Sequence, residues 1–414
     1  MIKDIIILQK RELEKKLKEL YVPREAEIKE IQSDLIKVII GPRRAGKSLF
    51  SMHSLSRQPN FGYVNFDDEK LIDVTDYNEI ICAVDDVYNK PKYLLLDEIQ
   101  NLAKWELFVN RLQRQGYKLI ITGSNSRLLS SELATHLTGR YSSVLLFTFS
   151  PKEFLKFNRQ KATEVENKAH LNSYLELGGY PEPLVKKLNY KEYLSTLLDS
   201  IIYKDIVKRF KIRSAQGVED LASYLVSNVA KDYSYNTLMQ VTKCKSVHTV
   251  EKYLGYLEES FVLFRLNRFS FKLKVQVKSP KKIYCFDNGF ISAKAFKISS
   301  DIGRIYENTV AIKLKKLELE RKISIFYWKN QQQQEVDFVI KKDTRIQQLI
   351  QVCFRITDPV VKRREVRALL LASKELKCGN LLVITTDCEE EIEEEWFGIK
   401  RTIKFIPLWK WLLK

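Results

Sequence analysis

Residues 37–50 read KVIIGPRRAGKSLF, and the centre, from Gly41 to Ser48, fits the pattern G-x-x-x-x-G-K-[ST]. Leu35, Ile36, Val38, Ile39 and Ile40 lead into this loop, interrupted only by Lys37. Their β-branched side chains favour a buried parallel strand. Gly41 and Gly46 allow a tight turn, so the loop Gly41, Pro42, Arg43, Arg44, Ala45 and Gly46 is expected to bring backbone N–H groups to phosphate oxygens. A helix opening near Lys47 adds its positive N-terminal end. Lys47 is then expected to reach the β- and γ-phosphates of ATP, and Ser48 to place its hydroxyl on Mg²⁺. The competing reading is an ordinary glycine turn. The apolar strand before the loop and the apolar helix KSLFSMHSL after it favour the phosphate loop.

A second stretch, PKYLLLDEIQN, carries an apolar run ending in Asp97 and Glu98. A buried strand that ends in two carboxylates is what a phosphate-loop ATPase needs beside its metal. Asp97 is expected to hold Mg²⁺ through water, and Glu98 to polarise the attacking water. A third apolar run, YKLIITGSNSRLL, ends in Gly123, Ser124, Asn125 and Ser126. Asn125 reads either as a residue that orients water or senses the γ-phosphate, or as part of a polar turn. Arg140 precedes a further apolar run in LTGRYSSVLLF. It reads either as an arginine finger given to a neighbouring subunit's nucleotide or as a structural partner in a salt bridge.

The chain has 414 residues, enough for two or three domains with cores of their own. Its formal net charge of +18 favours a polyanionic partner, nucleic acid first, although lysine-rich surfaces also serve solubility and heat stability. Six cysteines form no C-x-x-C pair, and the four histidines complete no zinc pattern. A reducing cytoplasm is the simplest setting. The start, MIKDIIILQKRELEKK, lacks a signal-peptide profile, and no apolar run is long enough to span a membrane.

Along the chain, residues 1–34 read as an amphipathic helical segment broken near Pro23, placed to cover the adenine. Residues 35–150 alternate strands and helices, the pattern of a parallel sheet with helices on both faces. Residues 151–213 read as a helical lid, punctuated by Gly178, Gly179, Pro181 and Pro183. Residues 214–280 offer three helices and two β-like runs, FVLFRLNRF and FKLKVQVK, as in a winged helix-turn-helix. Ser246 is placed to cap the third helix. Lys243, Lys245, His248, Thr249 and Lys252 lie near that helix's outer, N-terminal side, and Lys272 and Lys274 on the expected wing. These are the candidate DNA contacts, because recognition helices meet DNA at their N-terminal end and wing lysines suit phosphates. The alternative is a module that packs against other domains.

Residues 281–414 present a helix, three strands, a helix and a strand, the core order of the PD-(D/E)xK nuclease fold. That chemistry needs an Asp and, on the next strand, Glu-x-Lys to hold metal and activate water. Asp337 sits suitably on EVDFVI, and Glu307 on the preceding helix, but Gln351 and Cys353 stand where Glu and Lys belong. An amide and a thiol are poor ligands for a hard cation. The domain therefore reads as nuclease-like and inactive. Gln331 to Gln334 read as a polar hairpin turn, and CEEEIEEEW as a solvated acidic face.

GPRRAGKS, LLLDEIQN, ITGSNSRLL, LTGRY, GGYPEP, DNGF, GRIYEN and EVDFVI occur in this order. On these motifs the chain resembles the prokaryotic AAA-type ATPases with a C-terminal DUF4143 domain, over nearly its whole length. The resemblance implies an α/β multidomain protein: an AAA-like ATP-binding core, a winged-helix middle and a restriction-endonuclease-like end. It gives Lys47, Ser48, Asp97, Glu98, Asn125 and Arg140 the roles argued above. Many members end the last motif in E-V-K, whereas this chain has QVC. The leading expectation is an ATPase that binds DNA and remodels or translocates on it, with homo-oligomers allowing Arg140 to act between subunits. The alternatives are a nucleotide switch acting on a protein or an operator, and a metal-dependent nuclease.

Overall fold

The computed structural model describes residues 1–124, 137, 139–158, 163–294 and 302–414. It divides into two compact units. The first holds residues 1–149 with the short pieces 184–186 and 259–261, and the second holds 150–183, 187–258 and 262–414. Among the described residues no helix is long and apolar enough to cross a membrane.

The first unit is built on a five-stranded sheet in the order β2-β3-β4-β1-β5, with every pairing parallel. The strands are β1 (Ile36–Ile40), β2 (Phe61–Asn65), β3 (Tyr93–Asp97), β4 (Lys118–Gly123) and β5 (Tyr141–Leu145). β1 and β3 are buried at all five positions, as expected of aliphatic runs between helix layers. Lys37 is buried with its strand, and its ammonium reaches out to the Ser33 hydroxyl at 2.6 Å and the Leu35 carbonyl at 2.8 Å.

The N-terminal helix is shorter than its sequence suggests. It covers Ile2–Lys16 and buries Ile2, Ile5, Ile6, Gln9 and Leu13, one helical stripe. Residues 17–34 are not helical. Pro23 has no N–H to continue a helix and disfavours helical geometry in the residue before it.

In the second unit the helices Gln216–Ser227, Tyr235–Thr242 and Val247–Glu259 accompany a three-stranded antiparallel sheet, β6-β8-β7. Its strands are β6 (Asp232–Tyr233), β7 (Leu263–Leu266) and β8 (Lys281–Cys285), so the sheet runs past the expected boundary at Pro280. The Ser246 hydroxyl accepts the Thr249 N–H at 3.2 Å, which caps the third helix. The run FKLKVQVK is not a strand. Leu273–Lys278 is a short helix with no buried residue, and Phe271, Leu273, Val275 and Val277 are exposed. Among the described residues no strand pairs with it, so its alternating pattern has no sheet to join. One core takes Tyr180, Leu194, Leu198 and Ile201 together with Leu221, Leu225, Leu254 and Cys285, so the helices expected as a lid share it with the middle helices.

A six-stranded sheet completes this unit, in the order β13-β14-β12-β11-β10-β9. The strands are β9 (Ser324–Lys329), β10 (Glu335–Lys342), β11 (Arg345–Val352), β12 (Leu381–Thr385), β13 (Glu390–Trp396) and β14 (Ile399–Pro407). The helix Ile302–Leu319 precedes β9, and the helix Pro359–Glu375 joins the parallel pair β11 and β12. The acidic run is strand β13, and its Glu390, Glu391, Glu393 and Glu395 are exposed, a solvated acidic face carried on a strand. Its Glu391, Glu394 and Glu395 stand opposite Lys404, Arg401 and Lys400 of β14. Opposite charges across the pair stabilise it, and charge on an edge strand discourages pairing with other chains.

Candidate functional site

β1 ends at Ile40, and the loop from Gly41 to Gly46 leads into the helix Lys47–Leu55. Gly41 has no room for a side chain: a Cβ there would lie 1.9 Å from the Leu146 carbonyl oxygen. Gly46 has φ 90°, a left-handed conformation that favours glycine. The loop thus packs against the segment after β5 and leads directly into the N-terminus of the helix.

Lys47 is buried, and its ammonium donates to the carbonyls of Gly41 at 3.2 Å and Pro42 at 2.9 Å. The Ser48 hydroxyl donates to Asp97 Oδ1 at 2.9 Å, and the Tyr63 hydroxyl to Asp97 Oδ2 at 3.2 Å. Thr122 Oγ1 also bonds Asp97 and accepts the Glu98 N–H at 3.0 Å. β3 and β4 therefore hold the carboxylate pair directly beside the loop. Glu98 has φ 51°, an unusual conformation for a non-glycine residue, and its carboxylate lies 4.0 Å from the Lys47 ammonium and takes a bond from Ser124 Oγ at 3.2 Å. Burial, and then the charge of Glu98, raise the pKa of Asp97 against the hydrogen bonds of Thr122 and Ser48. A buried carboxylate short of positive charge, with a hydroxyl 2.9 Å away, suits a hydrated divalent cation, and a lysine folded onto its own loop suits phosphate oxygens.

One further residue of this site carried no signal that was read from the sequence. Arg24 donates to the Ala45 carbonyl at 2.8 Å, the Phe147 carbonyl at 2.5 Å and the Thr148 carbonyl at 3.3 Å, and its guanidinium lies over the Phe149 ring. It ties the phosphate loop to the chain after β5. An arginine directly after Pro23 in a non-helical stretch was the available clue.

Asn125 lies outside the described residues. Arg140 is exposed, and its carbonyl accepts the Ile36 N–H at 3.0 Å, so it stands at the N-terminal ends of β5 and β1. The phosphate loop leaves the other end of β1. Five strand residues, about 16 Å, separate the two ends, further than an arginine side chain extends. Arg140 does not reach the nucleotide site of its own chain.

Of the candidate DNA contacts, Lys243, Lys245, His248, Lys252, Lys272 and Lys274 are exposed, and Thr249 is half-buried with its hydroxyl 2.9 Å from Ser246 Oγ. Lys272 and Lys274 belong to the short helical stretch, not to a β-wing.

In the second unit the structure brings Glu307, Asp337 and Gln351 together, but not Cys353. That thiol is packed in the core with Trp328, Val339 and Leu369, and burial pushes its pKa up to about 12. The sequence left this site without a lysine, and the structure supplies one from elsewhere. Lys282 of β8 is buried, with its ammonium 2.5 Å from Glu335, 2.9 Å from Glu307 and 3.1 Å from Asp337. Burial opposes its charge, but the surrounding carboxylates outweigh this and hold it firmly protonated. Burial, with the Asp337 charge adding to it, raises Glu307 to about 7. Gln351 accepts the Asp337 N–H at 3.3 Å and donates to Glu365 at 2.5 Å. Among the described residues no group of His, Cys, Asp or Glu is arranged to hold a metal ion. Glu335 was legible: it lies two residues before Asp337 on β10 and so shares its face. Lys282 was not.

Comparison with known proteins agrees with this architecture. Residues 33–155 match the AAA domain family, 168–301 a domain of unknown function (DUF8612), and 302–411 a domain of unknown function (DUF4143). An uncharacterized protein of Methanocaldococcus jannaschii, MJ1544, is 36% identical over 99% of this chain and 94% of its own length. An uncharacterized protein of Haemophilus influenzae is 31% identical over 79% of this chain and 84% of its own. Among solved structures, the Walker-type ATPase paby2304 of Pyrococcus abyssi is matched at a TM-score of 0.41 with 14% identity, over 62% of this chain and 90% of that one. The chain belongs to the family of proteins that join an N-terminal P-loop AAA domain to a C-terminal DUF4143 domain.

Proposed function

We propose that this chain hydrolyses ATP with Mg²⁺ and couples hydrolysis to remodelling of, or movement on, DNA. The observation that carries the first half is the convergence of Lys47, Ser48, Asp97 and Glu98 at one loop. In this reading the Gly41–Gly46 amides and Lys47 bind the phosphates, Ser48 and Asp97 hold the hydrated metal, and Glu98 orients and polarises water. When bound, Mg²⁺ supplies charge that offsets the developing negative charge on the phosphates. Asn125 follows β4 in sequence and is proposed to sense the γ-phosphate.

The second half rests on the net charge of +18 and on the middle module. We read its helices and its β6-β8-β7 sheet as a winged helix whose wing is replaced by the short helix Leu273–Lys278. Lys243, Lys245, His248 and Lys252 would meet the phosphates and groove of DNA, and Thr249 a base edge or phosphate. The C-terminal sheet is read as nuclease-like and without cleavage activity, because Gln351 and Cys353 stand where the metal-binding Glu and the Lys belong.

The test is ATP hydrolysis with and without single-stranded, duplex and branched DNA over a range of salt. Lys47→Ala is expected to abolish turnover. Glu98→Gln is expected to keep nucleotide binding and lose about a hundredfold or more in rate, the range for removing a general base. Salt-sensitive stimulation by one form of DNA supports the motor reading. Hydrolysis indifferent to every DNA form transfers the assignment to a nucleotide switch acting on a protein.

A further inference from the structure

A cavity in the second unit has a volume of about 1030 Å³. Its floor holds the carboxylates of Glu307, Glu335, Asp337 and Glu365, and its walls carry Arg304, Arg355, Arg363, Arg364 and Arg367. Lys282 stands directly behind the floor, on three of those carboxylates. The fourth, Glu365, is paired with Arg364 and bonded by Gln351.

A carboxylate floor repels phosphate. A divalent cation is the ordinary remedy, since it bridges carboxylates and phosphate oxygens. Here the remedy is internal. The ammonium touches Glu307, Asp337 and Glu335 together, and Gln351 contributes an uncharged amide. Five arginines and Lys282 then face four carboxylates, so the cavity has a positive balance without metal. Arg355 and Arg363 are exposed, and Arg367 lies against the Trp396 ring with its carbon centre 4.8 Å from the centroid. Planar guanidinium groups around an open cavity match phosphate oxygens in pairs.

We propose that this cavity is a metal-independent binding site for the phosphodiester backbone of DNA, with Lys282 serving as its built-in cation. The proposal deepens the DNA-binding reading given above, and it places a contact surface in the C-terminal domain that does not depend on the middle module. No bond is made or broken there.

The experiment is fluorescence anisotropy of a labelled oligonucleotide with the full chain, without nucleotide, in EDTA and then in Mn²⁺. Wild type is expected to bind equally in both. Arg355→Ala with Arg363→Ala is expected to lower the slope of log affinity against log salt by about two, one per lost phosphate contact. Lys282→Met uncovers the carboxylates, so its binding is expected to weaken in EDTA and to recover in Mn²⁺. Binding by wild type that needs Mn²⁺ overturns the proposal, and so does an unchanged salt slope in the arginine variant. Both arginines are exposed, so that variant decides the matter even where Lys282→Met does not fold. Loss of binding in Lys245→Glu with Lys252→Glu, but not in the arginine variant, leaves the DNA-binding reading standing and removes this site. Absence of DNA binding by wild type removes both.

Discussion

Single side chains set the precision of the nucleotide site. Gly41 follows from the motif, and the structure gives the reason: the Leu146 carbonyl fills the space where a Cβ would stand. Arg24 follows from no motif, because its partners at Ala45, Phe147 and Thr148 lie 21, 123 and 124 residues away. Its guanidinium bonds one carbonyl of the phosphate loop and two of the chain after β5, and hydrogen bonds to a charged group contribute about 1.5–3 kcal/mol each when intact. Arg24→Ala is expected to lower the unfolding free energy of the first unit by about 2 kcal/mol. It is also expected to weaken ATP binding, because the loop loses the brace that holds its amides in place. Urea denaturation and nucleotide titration measure the two effects. An unchanged affinity for ATP would show that the loop holds its shape without Arg24.

At the scale of elements, the motifs that resist a catalytic reading are joints. Asp287 of DNGF accepts the N–H groups of Gly179 at 2.9 Å and Gly289 at 2.8 Å. Gly178 has φ 80°, and a Cβ there would lie 1.9 Å from Asp287 Oδ1. Asn308 of GRIYEN accepts the Cys285 N–H at 2.8 Å and donates to Asn288 at the same distance. GGYP, DNGF and GRIYEN thus bind one another and fix the end of β8, which carries Lys282. Gly178→Ala combines a forbidden φ with a clash and is expected to cost about 3 kcal/mol. Calorimetry is expected to show the second unit melting earlier while the Lys47-dependent ATPase remains at low temperature. The parallel strands and the phosphate loop were legible because local spacing and aliphatic runs determine them. The wing was not, because FKLKVQVK has a strand's alternation but no neighbouring strand, and a period of two has meaning only against a partner. Lys282 was hidden for the same kind of reason. Its partners Glu307 and Asp337 stand 25 and 55 residues away, and in sequence it is one lysine before an apolar run.

For the molecule as a whole, the position of Arg140 bears on assembly. It stands at the N-terminal end of β5, across the full length of the sheet from the loop that leaves β1. Its side chain is exposed. A role in stabilising transition-state charge therefore requires that it enter the nucleotide site of a second copy, and that hydrolysis depend on protein concentration. Arg140→Ala alone is expected to lower turnover by about a thousandfold or more, the range for an arginine finger, while ATP affinity stays near that of wild type. The decisive measurement mixes two inactive proteins. In a mixture of Arg140→Ala and Lys47→Ala chains, some interfaces combine an intact phosphate loop from the first with an intact arginine from the second. Those interfaces are expected to hydrolyse ATP although neither protein does so alone. Activity that stays at the level of the separate variants, in a mixture shown by light scattering to contain mixed oligomers, would assign Arg140 to structure rather than to catalysis.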